Sequence, residues 1–98
     1  MKSRRYTARP VAYSGGKGWA VEFRHPMKYE AGRPGRKVRK GLEETDQDEA
    51  GTLVAELNEL LADETFHSIT AIHRARERFR AKVVEIFYEG LQSEFAVY

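Results

Sequence analysis

The stretch Gly18-Trp19-Ala20-Val21-Glu22-Phe23-Arg24 limits the fold of this chain more than any other part of it. Side chains alternate along a strand with period 2, so Trp19, Val21 and Phe23 make one apolar row. Ala20, Glu22 and Arg24 then face the other way. The preceding Ser14-Gly15-Gly16-Lys17 supplies the glycines that a hairpin turn needs for its positive-φ positions. No other part of the first forty residues holds three large apolar groups in register. The N-terminal half must therefore build its core on this row.

Strands are expected on both sides of it. Arg4 to Tyr13 carries the β-formers Tyr6, Thr7, Val11 and Tyr13. Pro10 lacks a backbone donor and assigns this strand to a sheet edge. His25-Pro26 is expected to end the second strand, because proline cannot donate to a ladder. A long polar connection rich in Gly and Pro follows over residues 28–36. Lys37 to Leu42 reads as a third strand, with Val38 and Leu42 inward, Lys37 and Arg39 outward, and Lys40 interrupting the inward row.

Helical periodicity then takes over. Thr45-Asp46-Gln47-Asp48 has a capping hydroxyl with a carboxylate three residues on. Ala50, Leu53, Val54, Leu57, Leu60 and Leu61 follow as a single stripe at i, i+3, i+4, i+7 spacing. Its natural cover is the Trp19-Val21-Phe23 row. After a break at 63–67, a second, longer helix is expected from Ser68 to Glu89, with Gly90 as its stop. The tail from Leu91 to Tyr98 is apolar again and lacks a terminator, as in a piece of a longer protein. The expected class is α+β: a three-stranded antiparallel sheet packed on one amphipathic helix, followed by the longer helix. Residues 1–63 hold the sheet and its helix, and residues 64–98 supply the second helix and tail, a linker or the start of a further domain.

The net charge of +2 conceals a segregation. Residues 1–41 carry twelve Lys/Arg against Glu22 and Glu30, whereas residues 42–64 carry nine Asp/Glu and no Lys/Arg. A basic sheet of this kind points to a polyanion partner. Internal pairing of the basic strands with the acidic helix is the other account, and the two are compatible in part. There is no cysteine, hence no disulfide framework, thiolate metal site or cysteine nucleophile. No apolar run is long enough for a membrane span, and no apolar region follows the basic N-terminus as in a signal peptide. A cytoplasmic location is expected.

Catalytic constellations are not evident, and no catalytic or metal-binding residue, cofactor or small-molecule substrate is expected. His25, His67 and His73 show no metal spacing and read as surface or loop histidines. Gly15-Gly16-Lys17-Gly18 lacks the strand–loop–helix setting and the Lys-Ser/Thr ending of a phosphate loop. A sheet with one open face can instead enter the major groove of DNA, where arginine reads guanine bidentately. The base-facing candidates are Arg9, Glu22, Arg24, Lys37 and Arg39. The phosphate-contact candidates are Lys2, Arg4, Arg5, Lys17, Lys28, Arg33 and Arg36.

Over residues 4–62 the chain resembles the arm-type (AP2-like) N-terminal DNA-binding domain of phage-type tyrosine recombinases, the integrases. The matching residues are Gly18 to Arg24, then Gly35-Arg36-Lys37-Val38, Leu42, and the acidic helix start Thr45-Asp46-Gln47-Asp48-Glu49-Ala50. Glu43-Glu44 departs from the family, which has a short glycine-containing connection there. The resemblance implies that the open sheet face enters the major groove of double-stranded DNA, with a catalytic domain far downstream. His73-Arg74-Ala75-Arg76 spells the recombinase His-x-x-Arg element, but 98 residues cannot hold that catalytic domain as well. The expected function is duplex recognition within an integrase. The alternative is a protein-docking N-terminal module of an ATPase or other multidomain protein, with a protein partner on Phe79, Val83, Ile86 and Phe87 of the second helix. That surface requires these side chains to be exposed.

Overall fold

The computed structural model describes residues 6–12, 18–44 and 46–92, with the backbone alone at 43 and 44. Three strands, β1 (Ala8–Ala12), β2 (Trp19–Glu30) and β3 (Arg33–Glu44), form an antiparallel sheet in the order β1-β2-β3. Helices α1 (Gln47–Ala62), α2 (Ile69–Ala75) and α3 (Ala81–Gln92) follow, with a short 3-10 turn at Glu64–Phe66. The α+β class and the antiparallel sheet are as the periodicities predict. The Gly15-Gly16 turn, the Thr45 hydroxyl and the tail from residue 93 onward lie outside the described residues.

β1 is the edge strand that Pro10 requires. Its outer edge is blunted by Asn58 of α1, whose amide accepts from the Ala8 N–H at 2.8 Å and donates to the Ala8 carbonyl at 3.0 Å. Pro10, two residues on and facing the same way, has no N–H to leave open. At these two positions the edge is thereby closed to further strand pairing.

β2 and β3 run further than expected. β2 continues through His25-Pro26, because the register shifts between His25 and Tyr29 and the proline falls in that irregularity. A bulge is where a strand tolerates a residue without a ladder donor. The expected long loop over 28–36 is instead a ribbon closed by a two-residue turn at Ala31 (φ 54°) and Gly32 (φ 78°). Both central residues at positive φ is the type I′ pattern whose twist suits a hairpin. Lys28, Arg33 and Arg36 are therefore strand residues.

The six apolar residues of the α1 stripe are all buried. The helix is capped by Asp46, which accepts from the Asp48 N–H at 2.9 Å. Val21, Phe23, Val38 and Leu42 meet the stripe from the sheet, while Trp19 is only half-buried at the core's margin. Lys40 lies among the inward-facing residues of β3 and reaches Glu89 of α3 at 3.0 Å.

The expected second helix is two helices, separated at Arg76–Arg80. Phe79 turns inward onto Phe66, edge to face at 5.6 Å, and the Arg80 N–H donates to the Glu56 carboxylate at 2.6 Å. These tertiary contacts replace the bonds of a continuous helix. Gly90 is not a stop; it is buried inside α3, where a Cβ would lie 3.0 Å from Phe23 Cζ and 3.3 Å from Val38 Cγ1. Ile72, Phe79, Val83, Ile86 and Phe87 are buried, in one core with the sheet and α1. The aromatic surface required by the protein-docking alternative is thus inside the molecule. Among the described residues no helix is long and apolar enough to cross a membrane.

Candidate nucleic-acid interface

Helices cover one face of the sheet, and the other carries the charged residues. The register places Arg9, Glu22 and Arg39 in one row across the three strands and pairs Arg24 with Lys37 in the next. The five base-facing candidates therefore share one patch. Thr7, Arg9, Glu22, Phe23, Arg24 and Lys37 line a shallow depression of about 210 Å³ within it.

Glu22 organises the patch. Its side chain is only 10% exposed, against 69% for Arg9, 56% for Lys37 and 47% for Arg39. Arg9 donates to Glu22 Oε1 from Nε at 3.2 Å and from Nη2 at 2.8 Å. Arg39 Nη2 donates to Oε2 at 3.0 Å, and Lys37 Nζ stands 3.9 Å from Oε1. The Arg9 hydrogen bonds, then those of Arg39, hold the Glu22 carboxyl below the usual carboxylate range, against a smaller opposing effect of burial. A carboxylate so covered is not placed to accept from a cytosine amino group, and its role differs from the base-reading one that its position in sequence suggests. Arg24 is steadied separately, by donating from Nη1 to the Gly35 carbonyl at 3.2 Å.

The phosphate-contact candidates scatter. Lys2, Arg4, Arg5 and Lys17 lie outside the described residues. Arg33 is exposed beside the turn of the β2–β3 ribbon, and Lys28 is half-buried in β2. Arg36 sits opposite the buried His25, a register that assigns it to the helix-covered side. It does not flank the open face.

The acidic residues of α1 do not neutralise this patch. Glu49 and Glu56 pair with Arg80 at 2.8 and 3.2 Å, and Asp63 at the end of α1 pairs with Arg78 at 3.2 Å. Lys40 does bridge from the sheet to a helix acid, but that acid is Glu89 of α3. The internal pairing that the charge segregation allows thus forms largely between α1 and the α2–α3 segment.

His25 is neither a surface nor a loop histidine, whereas His67 lies in the connection between the 3-10 turn and α2. His25 is fully buried, stacked on Phe87 at 4.3 Å, and His67 is half-buried with its Nε2 3.0 Å from the Leu61 carbonyl. A histidine before a proline carries no sequence signal for burial, since the covering ring comes from α3. His73 is exposed, and among the described residues no three carboxylate or imidazole groups are placed to hold a metal ion. No family model, curated protein or solved structure matches this chain.

Proposed function

We propose that this protein is a duplex-DNA-binding module that works through the open face of its sheet. One observation carries this reading: four exposed cations, Arg9, Arg24, Lys37 and Arg39, share the open face with a single covered carboxylate that three of them contact, while Glu49 and Glu56 of α1 pair with Arg80. All three arginines are braced, Arg9 and Arg39 by Glu22 and Arg24 by the Gly35 carbonyl, and a braced guanidinium loses less side-chain freedom on meeting a partner. A three-stranded sheet fits the roughly 12 Å-wide major groove. In this reading the module acts in the cytoplasm and contributes site recognition to a phage-type integrase, as the resemblance of residues 4–62 suggests. The order of β1, β2, β3 and α1 is compatible with that reading, although the basic loop expected between the second and third strands is a ribbon here.

The test is duplex binding followed by fluorescence anisotropy across salt. Affinity should fall about tenfold or more between 50 and 200 mM salt, as counterion release requires when several phosphates are neutralised. Arg9→Ala with Arg39→Ala should weaken binding by at least about tenfold at fixed salt, given about 1–3 kcal/mol for each bidentate base contact. An absence of duplex binding at low salt, or full affinity in the double variant, would contradict the proposal.

A further inference from the structure

We infer that Glu22 is a positioning residue that aims Arg9 and Arg39 at two guanines lying one or two base-pair steps apart. This rests on the duplex-binding reading and deepens it. Glu22 Oε1 takes the Nε and Nη2 donors of Arg9, so that guanidinium presents its Nη1 and the second hydrogen of Nη2 outward. Those two donors form the end-on pair that matches the O6 and N7 acceptors of guanine. Among the described residues Arg39 is held through one Nη2 donor, at 3.0 Å, which leaves its other donors for a partner. One carboxylate bridges the two guanidiniums, with Nη2 contacts of 2.8 and 3.0 Å to its two oxygens, which keeps them close enough for neighbouring base pairs spaced about 3.4 Å apart.

Cytosine, adenine and thymine are poorer partners for this pair of donors. The cytosine amino group and the adenine N6 amino group present donors to donors, and thymine offers one acceptor beside a methyl group. Glu22 does not correct this by accepting from cytosine, because its oxygens lie beneath the arginines. It also lowers the positive charge of the face by one. Its removal should therefore raise affinity for phosphate while lowering discrimination between bases. A residue that served stability alone would change both kinds of binding together.

The experiment begins with selection of bound sequences from a library of randomised duplexes, using the wild-type protein. The selected site should contain two G·C pairs one or two steps apart. Replacing either guanine by 7-deazaguanine, which lacks the N7 acceptor, should weaken wild-type binding about tenfold. Glu22→Gln should reduce affinity for the selected site about tenfold while leaving affinity for random duplex unchanged or higher. A selected site without that guanine pair, an unchanged 7-deazaguanine duplex, or an unchanged specific-to-random ratio in Glu22→Gln would overturn the inference and leave the duplex-binding reading in place. Failure of the wild-type protein to bind any duplex overturns both. The 7-deazaguanine arm uses only the wild-type chain and can overturn the inference even where Glu22→Gln does not fold.

Discussion

At His25 the chain places an ionisable ring where a core side chain belongs. Nδ1 accepts from the Met27 N–H at 3.1 Å, which leaves Nε2 to carry the proton and donate to the Phe87 carbonyl at 2.8 Å. Phe87 is stacked between His25 and, at 6.4 Å, His67. The Met27 N–H, displaced from the ladder by the irregularity around Pro26, is satisfied by the imidazole in place of a strand partner. Burial pushes the His25 pKa down to about 4; Lys28 and His67 act in the same direction, and the Phe87 carbonyl opposes them. The unfolded chain binds a proton that the native state refuses, so stability should be greatest above the ordinary histidine pKa of about 6.5 and fall as pH drops towards 4. Between pH 7 and pH 5 the expected loss is about 2 kcal/mol, readable from urea midpoints. The His25 ring signal in NMR should remain that of a neutral imidazole down to pH 5. A midpoint near 6.5 for that ring would remove the explanation.

Among the elements, the apolar stripe of α1 was legible because its information is local, although the cap is Asp46 and not the expected Thr45. Six apolar residues at helical spacing need only a partner, and the apolar side of β2 provides it. The break between α2 and α3 was not legible, because residues 68–89 hold neither glycine nor proline. It depends on Phe66, Glu56 and the inward turn of Phe79, none of which periodicity within one segment can report. The β2–β3 ribbon failed in the opposite way. Pro26 and the Gly-Pro pattern over 32–35 are loop signals, yet a bulge and a two-residue turn absorb them within the ribbon. The two helical glycines separate the local effect from the tertiary one. Gly51 is exposed, and a Cβ there would meet nothing within 4 Å, so Gly51→Ala should stabilise by about 1 kcal/mol through helix propensity. Gly90→Ala gains the same propensity, but its Cβ would stand 3.0 Å from Phe23 Cζ in a packed core. A net loss of about 1–2 kcal/mol is expected there, since overpacking typically costs about 1–3 kcal/mol. Thermal denaturation of the two variants should move the midpoint in opposite directions, and equal shifts would contradict this account of α3 packing.

Over the whole molecule the charge segregation resolves into two systems. Glu49 and Glu56 of α1 pair with Arg80, and Asp63 just beyond α1 pairs with Arg78, while Arg9, Lys37 and Arg39 of the open face gather around Glu22. Alternation along β2 was enough to foresee a two-sided strand with an apolar side and a charged side. It could not show that Glu22 lies beneath its neighbours, because that depends on the cross-strand register with β1 and β3. The central claim is that this face meets duplex DNA. Amide chemical-shift mapping of the labelled protein during titration with duplex DNA at low salt tests it most directly. The account predicts that the largest changes cluster at residues 7–11, 20–24 and 37–41, with α1, α2 and α3 little affected. Changes confined to the helices, or none at saturating duplex, would contradict it.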